Sequence, residues 1–174
     1  MDEQNRPSIF RFLIYLIAAA GLAGGLAGWI NASGAMSWAE SLTAPNWSVG
    51  SEINVITGML ILQPVAIALW ISQRSGRDGM RLISTLIILG ILAALIAQLM
   101  FFFGTRNVEL GFLAHLAGGI YMLFAIGLVG RCSRPAGYLL WPLFIWQVYH
   151  IALMFEFMRL NGDQAIANLA LFNI

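Results

Sequence analysis

The chain has 174 residues, 60% of them hydrophobic and 10% charged, with mean hydropathy +0.81 and a net charge of +1. About a quarter of the residues in a soluble domain are charged, so this composition excludes an ordinary water-soluble globule. The chain also lacks the basic run that a nucleic-acid partner requires.

Five apolar stretches lie at residues 12–30, 53–72, 82–103, 110–129 and 138–158. Each approaches the roughly 20 residues needed to cross a bilayer as helix. The connections after the second, third and fourth are short, which implies antiparallel neighbours. The expected fold is all-α: a polytopic membrane bundle of five transmembrane helices, with residues 1–174 as a single transmembrane domain. A cleaved signal peptide is the alternative for the first stretch, because Ala/Gly-rich sequence follows its apolar run. Asp2, Glu3 and the length of that run favour a retained helix.

The first helix carries Gly21, Gly24, Gly25 and Gly28, two overlapping small-xxx-small pairs. Such pairs let backbones approach closely in lipid. They serve either a seam with a second copy, giving a homodimer, or packing within the bundle. A long loop, residues 31–52, then brings Trp38, Pro45, Trp47 and Glu52. In the second helix Pro64 removes a backbone donor and predicts a kink, with Gln63 placed to satisfy the freed groups or to face a cavity. The single Cys132 cannot form an internal disulfide, and without a neighbouring His it is not expected to be a catalytic thiol.

Arginine placement sets an expected orientation. Arg6, Arg11, Arg74, Arg77, Arg81, Arg131 and Arg134 fall on one side of the bundle, and Arg106 and Arg159 on the other. The positive-inside bias puts the N-terminus inside and the long loop outside.

His115 and His150, the two histidines, are both expected at membrane depth, and helix rise does not exclude that they meet at one height. Histidine is a common axial haem ligand, so a haem-binding redox site is one reading of the pair. Two hydrogen-bonded neutral rings are the other. On the last helix Trp146, Tyr149, His150, Leu153 and Phe157 share one face by spacing. That face is either a wall for a flat hydrophobic ligand or an aromatic packing surface. Glu156 and Arg159 are spaced for an i, i+3 ion pair. The tail, residues 162–174, is expected to lie as a short amphipathic segment on the membrane or to be disordered. No catalytic triad, paired carboxylates, phosphate loop or metal-ligand cluster is present in the sequence, so no catalytic or metal residue is assigned and an enzyme is not expected.

Ala136-Gly137, Leu139, Pro142, Trp146, Leu153, Phe155-Glu156 and Met158-Arg159-Leu160-Asn161 resemble the last transmembrane helix of the TspO/MBR family. That family comprises the tryptophan-rich sensory proteins and the mitochondrial translocator protein, or peripheral benzodiazepine receptor. Phe102-Phe103-Gly104 resembles the end of its third helix, and Leu42, Pro45 and Trp47 resemble the start of its first-loop motif. The resemblance runs over most of residues 12–161. It implies a membrane receptor or carrier, usually dimeric, with the long loop folded over an internal cavity for a tetrapyrrole or sterol-like ligand.

Together with the aromatic face, the resemblance makes Trp146, Tyr149, His150, Leu153, Phe157, Trp47 and Gln98 the expected ligand-binding residues. Leu153, Phe155 and Arg159 resemble the family's cholesterol-contact motif, with Phe in place of Tyr. No cofactor is assigned, and porphyrin or haem enters as a ligand. The chain departs from the pattern at several positions. Val49-Gly50 stand at the paired prolines, Glu52 at a loop Trp, Leu95 and Gln98 at an Asn and a Trp, and Met100 at a Pro. Some bacterial members of the family promote light-dependent breakdown of protoporphyrin, a reaction associated with cavity tryptophans. The departures imply a divergent member with weak porphyrin binding and little such chemistry. The alternatives are a haem-binding redox protein using His115 and His150, or an assembly subunit without a ligand.

Overall fold

The structure, a computed structural model, describes residues 8–74 and 78–171, with the side chains of Asp78 and of residues 163–171 outside that description. Every regular element among the described residues is helical. Five spans are long and apolar enough to cross a membrane: Ile9–Ala32, Ser51–Arg74, Gly79–Gly104, Val108–Cys132 and Arg134–Gly162. The expected all-α bundle of five transmembrane helices is what forms.

Helix α1 (Ile9–Ala32) is capped by Ser8, whose hydroxyl accepts the Arg11 N–H at 3.4 Å. The segment read from sequence as a loop contains a short helix, α2 (Ala35–Glu40), entered through Gly34 at φ 69°. Only glycine takes that left-handed backbone without a Cβ penalty. Helix α3 (Ser51–Arg74) runs on through Pro64. Gln63 faces neither the cavity nor the carbonyl that Pro64 leaves without a donor, and its amide instead approaches the Met59 carbonyl at 3.5 Å.

Helix α4 (Asp78–Leu99) ends in a π-helical turn, Met100–Gly104, closed by the Thr105 N–H on the Met100 carbonyl at 3.2 Å. Asn107 caps α5 (Val108–Cys132) by accepting the Leu110 N–H at 2.9 Å. The last span is broken in two, α6 (Arg134–Leu139) and α7 (Trp141–Leu171). The break at Leu140 lies two residues before Pro142, which lacks an N–H and is tolerated only in the first turn of a helix. Helix α7 continues to Leu171, so the expected tail begins as helix, while its side chains fall outside the described residues.

The main core packs α3, α4, α5, α6 and the start of α7 around Val65, Ile88, Ile91, Met122, Val129 and Leu140. Close approach is set by small residues: a Cβ on Gly137 of α6 would lie 2.7 Å from the Gly130 Cα of α5. Helix α1 packs mainly on α3 and is the least buried span. Its Gly21, Gly24, Gly25 and Gly28 are all exposed, and a Cβ on any of them would meet no atom within 4 Å. Packing within the bundle is therefore not what this stripe does in a single copy of the chain.

Candidate ligand-binding cavity

At the end of the bundle that carries the 33–50 connection, α1, α3, α4, α5 and α7 diverge around a cavity of about 490 Å³. Its wall is mainly apolar, with Leu22 and Leu26 from α1, Val55 and Leu62 from α3, and Leu92 and Leu95 from α4. Met36, Leu42 and Val49 of the connection also border it. The space is bounded on one side by membrane helices and on another by a folded loop.

The expected face of α7 divides. Trp146, His150, Leu153 and Phe157 line the cavity, as their helical spacing requires. Tyr149 does not. Its hydroxyl accepts the Val49 N–H at 3.1 Å, and Trp47 packs edge-on against its ring at 5.9 Å. Trp47 is 45% exposed and is likewise absent from the wall. These two residues fasten the loop to α7, because the Tyr149 hydroxyl reaches a backbone donor on the loop. Trp146 is held from behind by Tyr149, stacked at 5.0 Å and 24°, and from the side by His150, edge-on at 4.7 Å.

The mainly apolar wall also carries polar side chains, among them Glu40, Asn54, Gln98, His115 and His150. Gln98 of α4 borders the cavity and is 3% exposed, and its buried Nε2 has no hydrogen-bond partner among the described residues. Its amide is accommodated by Gly118 of α5, where a Cβ would run into it. His115 and His150 lie side by side: their rings are 5.8 Å apart and within 18° of parallel, and both border the cavity. The His115 Nδ1 sits 2.7 Å from the Gly111 carbonyl, and the His150 Nδ1 sits 3.1 Å from the Trp146 carbonyl. A carbonyl only accepts, so each Nδ1 carries the proton and each neutral ring presents a lone pair at Nε2. Gln147, also buried, donates to the His115 carbonyl at 2.7 Å and ties α7 to α5 at this level. No group of three metal-type side chains occurs among the described residues.

Other expectations fare differently. Leu153, Phe155 and Arg159 do not converge. Leu153 is buried on the cavity wall, whereas Phe155 is exposed and packs on Phe112 at 5.8 Å. Arg159 is exposed and paired with Glu156 at 2.7 Å, the i, i+3 pair expected from spacing. Phe155 and Arg159, four apart, share a side of α7, while Leu153, two residues before Phe155, points to the opposite side, which splits the motif. Glu52 is exposed in the first turn of α3 and does not line the cavity, whereas Glu40 of α2 does. Sequence reasoning also missed Ala23, Asn54, Phe102 and Met154 on the wall. Phe102 was visible as part of Phe102-Phe103-Gly104, and the π-helical turn there seats it against Trp38, at 5.1 Å, and Phe157.

With this geometry in place, comparison with known proteins adds one finding. Residues 13–160 match the model of the TspO/MBR family. Among curated proteins none matches the chain.

Proposed function

The chain belongs to the TspO/MBR family and is a multi-pass integral membrane protein, and from that premise we propose that it is a membrane receptor or carrier for a hydrophobic, planar small molecule. The observation that carries the reading is the 490 Å³ apolar cavity with the Trp146 ring on its wall. A space of that size suits a small-molecule ligand, and an indole face suits a flat ring system. The test is a titration of the protein in nanodiscs with pyrene, read as tryptophan-to-pyrene energy transfer above protein-free nanodiscs. Saturable transfer, weakened by Trp146→Ala, supports the reading. Transfer no greater than in protein-free discs overturns it.

A second reading, haem ligation, rests on the His115 and His150 pair, whose rings lie 5.8 Å apart with each Nδ1 turned to a backbone carbonyl. An absorbance spectrum with added haem separates the two. A sharpened Soret band lost in His150→Phe supports ligation, and a spectrum unchanged by that substitution removes it.

We also propose that the N-terminus lies inside, from the seven-to-two arginine bias. Cys132 provides the check, because it ends α5 on the arginine-rich side and is partly exposed. A membrane-impermeant maleimide applied to intact cells leaves it unlabelled until the membrane is permeabilised. Labelling in intact cells reverses the assignment.

A further inference from the structure

We propose that the cavity selects guests whose apolar body ends in a cationic amine, with the ammonium held at the mouth beside Glu40. This rests on the cavity reading above and specifies the charge of the ligand. Glu40, the last residue of α2, is exposed and also borders the cavity, so its carboxylate stands at the entrance. Among the described residues it is the one formally charged side chain on the wall. Ser48, Ser51, Asn54 and Gln98 are neutral, and the two imidazoles are neutral with Nδ1 turned to a carbonyl. No described side chain pairs with the Glu40 carboxylate.

The wall becomes less polar with depth. Ser48 and Ser51 join Glu40 near the mouth, while Leu62 of α3 and Leu143 of α7 border the inner end. Leu62 lies about 16 Å beyond Ser51 along α3 by helix rise. A guest with a hydrocarbon body and one polar end fits that gradient with its head outward. An ammonium head gains from Glu40 at no set angle, because Coulomb attraction requires proximity rather than hydrogen-bond geometry. Phe102 and Phe157 also border the cavity, and Phe102 packs on Trp38 of α2 at 5.1 Å, which sets aromatic rings near the level of Glu40. Rings and a carboxylate together suit an ammonium. A carboxylate head meets like charge, with no cation on the wall to offset it. The surrounding end of the bundle has the same sign, with Glu40, Glu52, Glu109 and Glu156 against Arg106 and Arg159 among the described residues. That field draws cations toward the mouth.

The experiment compares pyrene, pyrenemethylamine and pyrenecarboxylate on the protein in nanodiscs of zwitterionic lipid. It uses the same energy-transfer readout, with each value taken relative to protein-free discs. Near pH 7 the amine is protonated. A solvent-facing carboxylate with rings beside it gives the amine an affinity about fivefold above pyrene, with pyrenecarboxylate weaker than pyrene. Glu40→Gln removes most of the amine's advantage, and so does raising the salt from about 0.01 M to about 1 M, which shortens the Debye length roughly tenfold. Glu52→Gln, a change at an exposed carboxylate off the wall, keeps the advantage. Equal affinities for pyrene and the amine, a ratio unchanged by Glu40→Gln or lowered as much by Glu52→Gln, or tighter binding of the carboxylate overturns the assignment while the cavity reading stands. Failure of all three probes to exceed protein-free discs removes the cavity reading and this inference together.

Discussion

Asn161, at the level where α7 leaves the bundle, grips Thr43 of the loop by both of its backbone groups. Its Oδ1 accepts the Thr43 N–H at 2.9 Å, and its Nδ2 donates to the Thr43 carbonyl at 3.0 Å. The same Nδ2 also reaches the Phe157 carbonyl of its own helix at 2.8 Å, which fixes the amide plane. A 5% exposed Asn bonded in this way acts as a clamp between segments 118 positions apart.

Asn161→Leu strands the Thr43 N–H and carbonyl, at a cost of about 1–3 kcal/mol for each group left unsatisfied. The expected result is faster amide exchange across residues 41–50, with the membrane spans as protected as before. Hydrogen-exchange mass spectrometry reads this directly, and unchanged protection of the loop would falsify the clamp.

Trp146→Ala removes the indole from a wall that also carries Phe102 and Phe157. Lost burial and ring contact weaken a planar ligand by roughly 1–3 kcal/mol. Trp146→Phe retains part of that. Titration of the folded variants with pyrene is the check, and equal affinity for all three proteins counts against Trp146 as the ligand surface.

The glycines divide by what surrounds them. Gly137→Ala pushes a methyl to 2.7 Å from the Gly130 Cα, a backbone atom that cannot swing aside. Its thermal midpoint falls, with a loss of about 1–3 kcal/mol by the usual cost of overpacking. Gly24→Ala and Gly25→Ala meet no atom within 4 Å and leave the midpoint of the monomer where it was. Thermal unfolding in one detergent ranks the three. Gly25→Leu, followed by light scattering, reads whether this open stripe joins two copies of the chain.

Protoporphyrin under illumination is expected to bleach slowly in the presence of the protein. Trp146 lines the cavity, but Trp47 stands outside it against Tyr149, and Gln98 occupies a place where a further indole was expected from the family resemblance. Glu40 adds a carboxylate to the wall that disfavours the porphyrin's own. Absorbance followed over time decides: rapid stoichiometric loss abolished by Trp146→Phe contradicts the expectation.

Much of the architecture was readable because the bilayer imposes one length and one hydropathy on every span, and the five apolar stretches met both. Helical spacing put Trp146, His150, Leu153 and Phe157 on one face, and the family resemblance turned that face toward a cavity. Spacing could not separate Tyr149 from its neighbours, since that depended on a hydroxyl finding the Val49 N–H across 100 positions of sequence. Glu52 and Glu40 were likewise beyond reach, because α2 interrupts the loop and decides which carboxylate is carried to the cavity. The cholesterol-contact pattern was a string of residue types with no direction attached, and the helix sent its members to different sides. Gln98 was found through the resemblance, but the seating of its amide against Gly118 became visible only in the fold.

The π-helical turn at Met100–Gly104 bears on how this chain is aligned with others. One extra residue in a turn swings everything beyond it by about 100° relative to an uninterrupted α-helix. Counting back from Phe102-Phe103-Gly104 to Gln98 and Leu95 crosses that insertion. Against a relative whose helix lacks the turn, an ungapped alignment pairs residues that point in different directions. A one-residue gap inside a membrane helix, ordinarily a sign of misalignment, is there the physically correct choice.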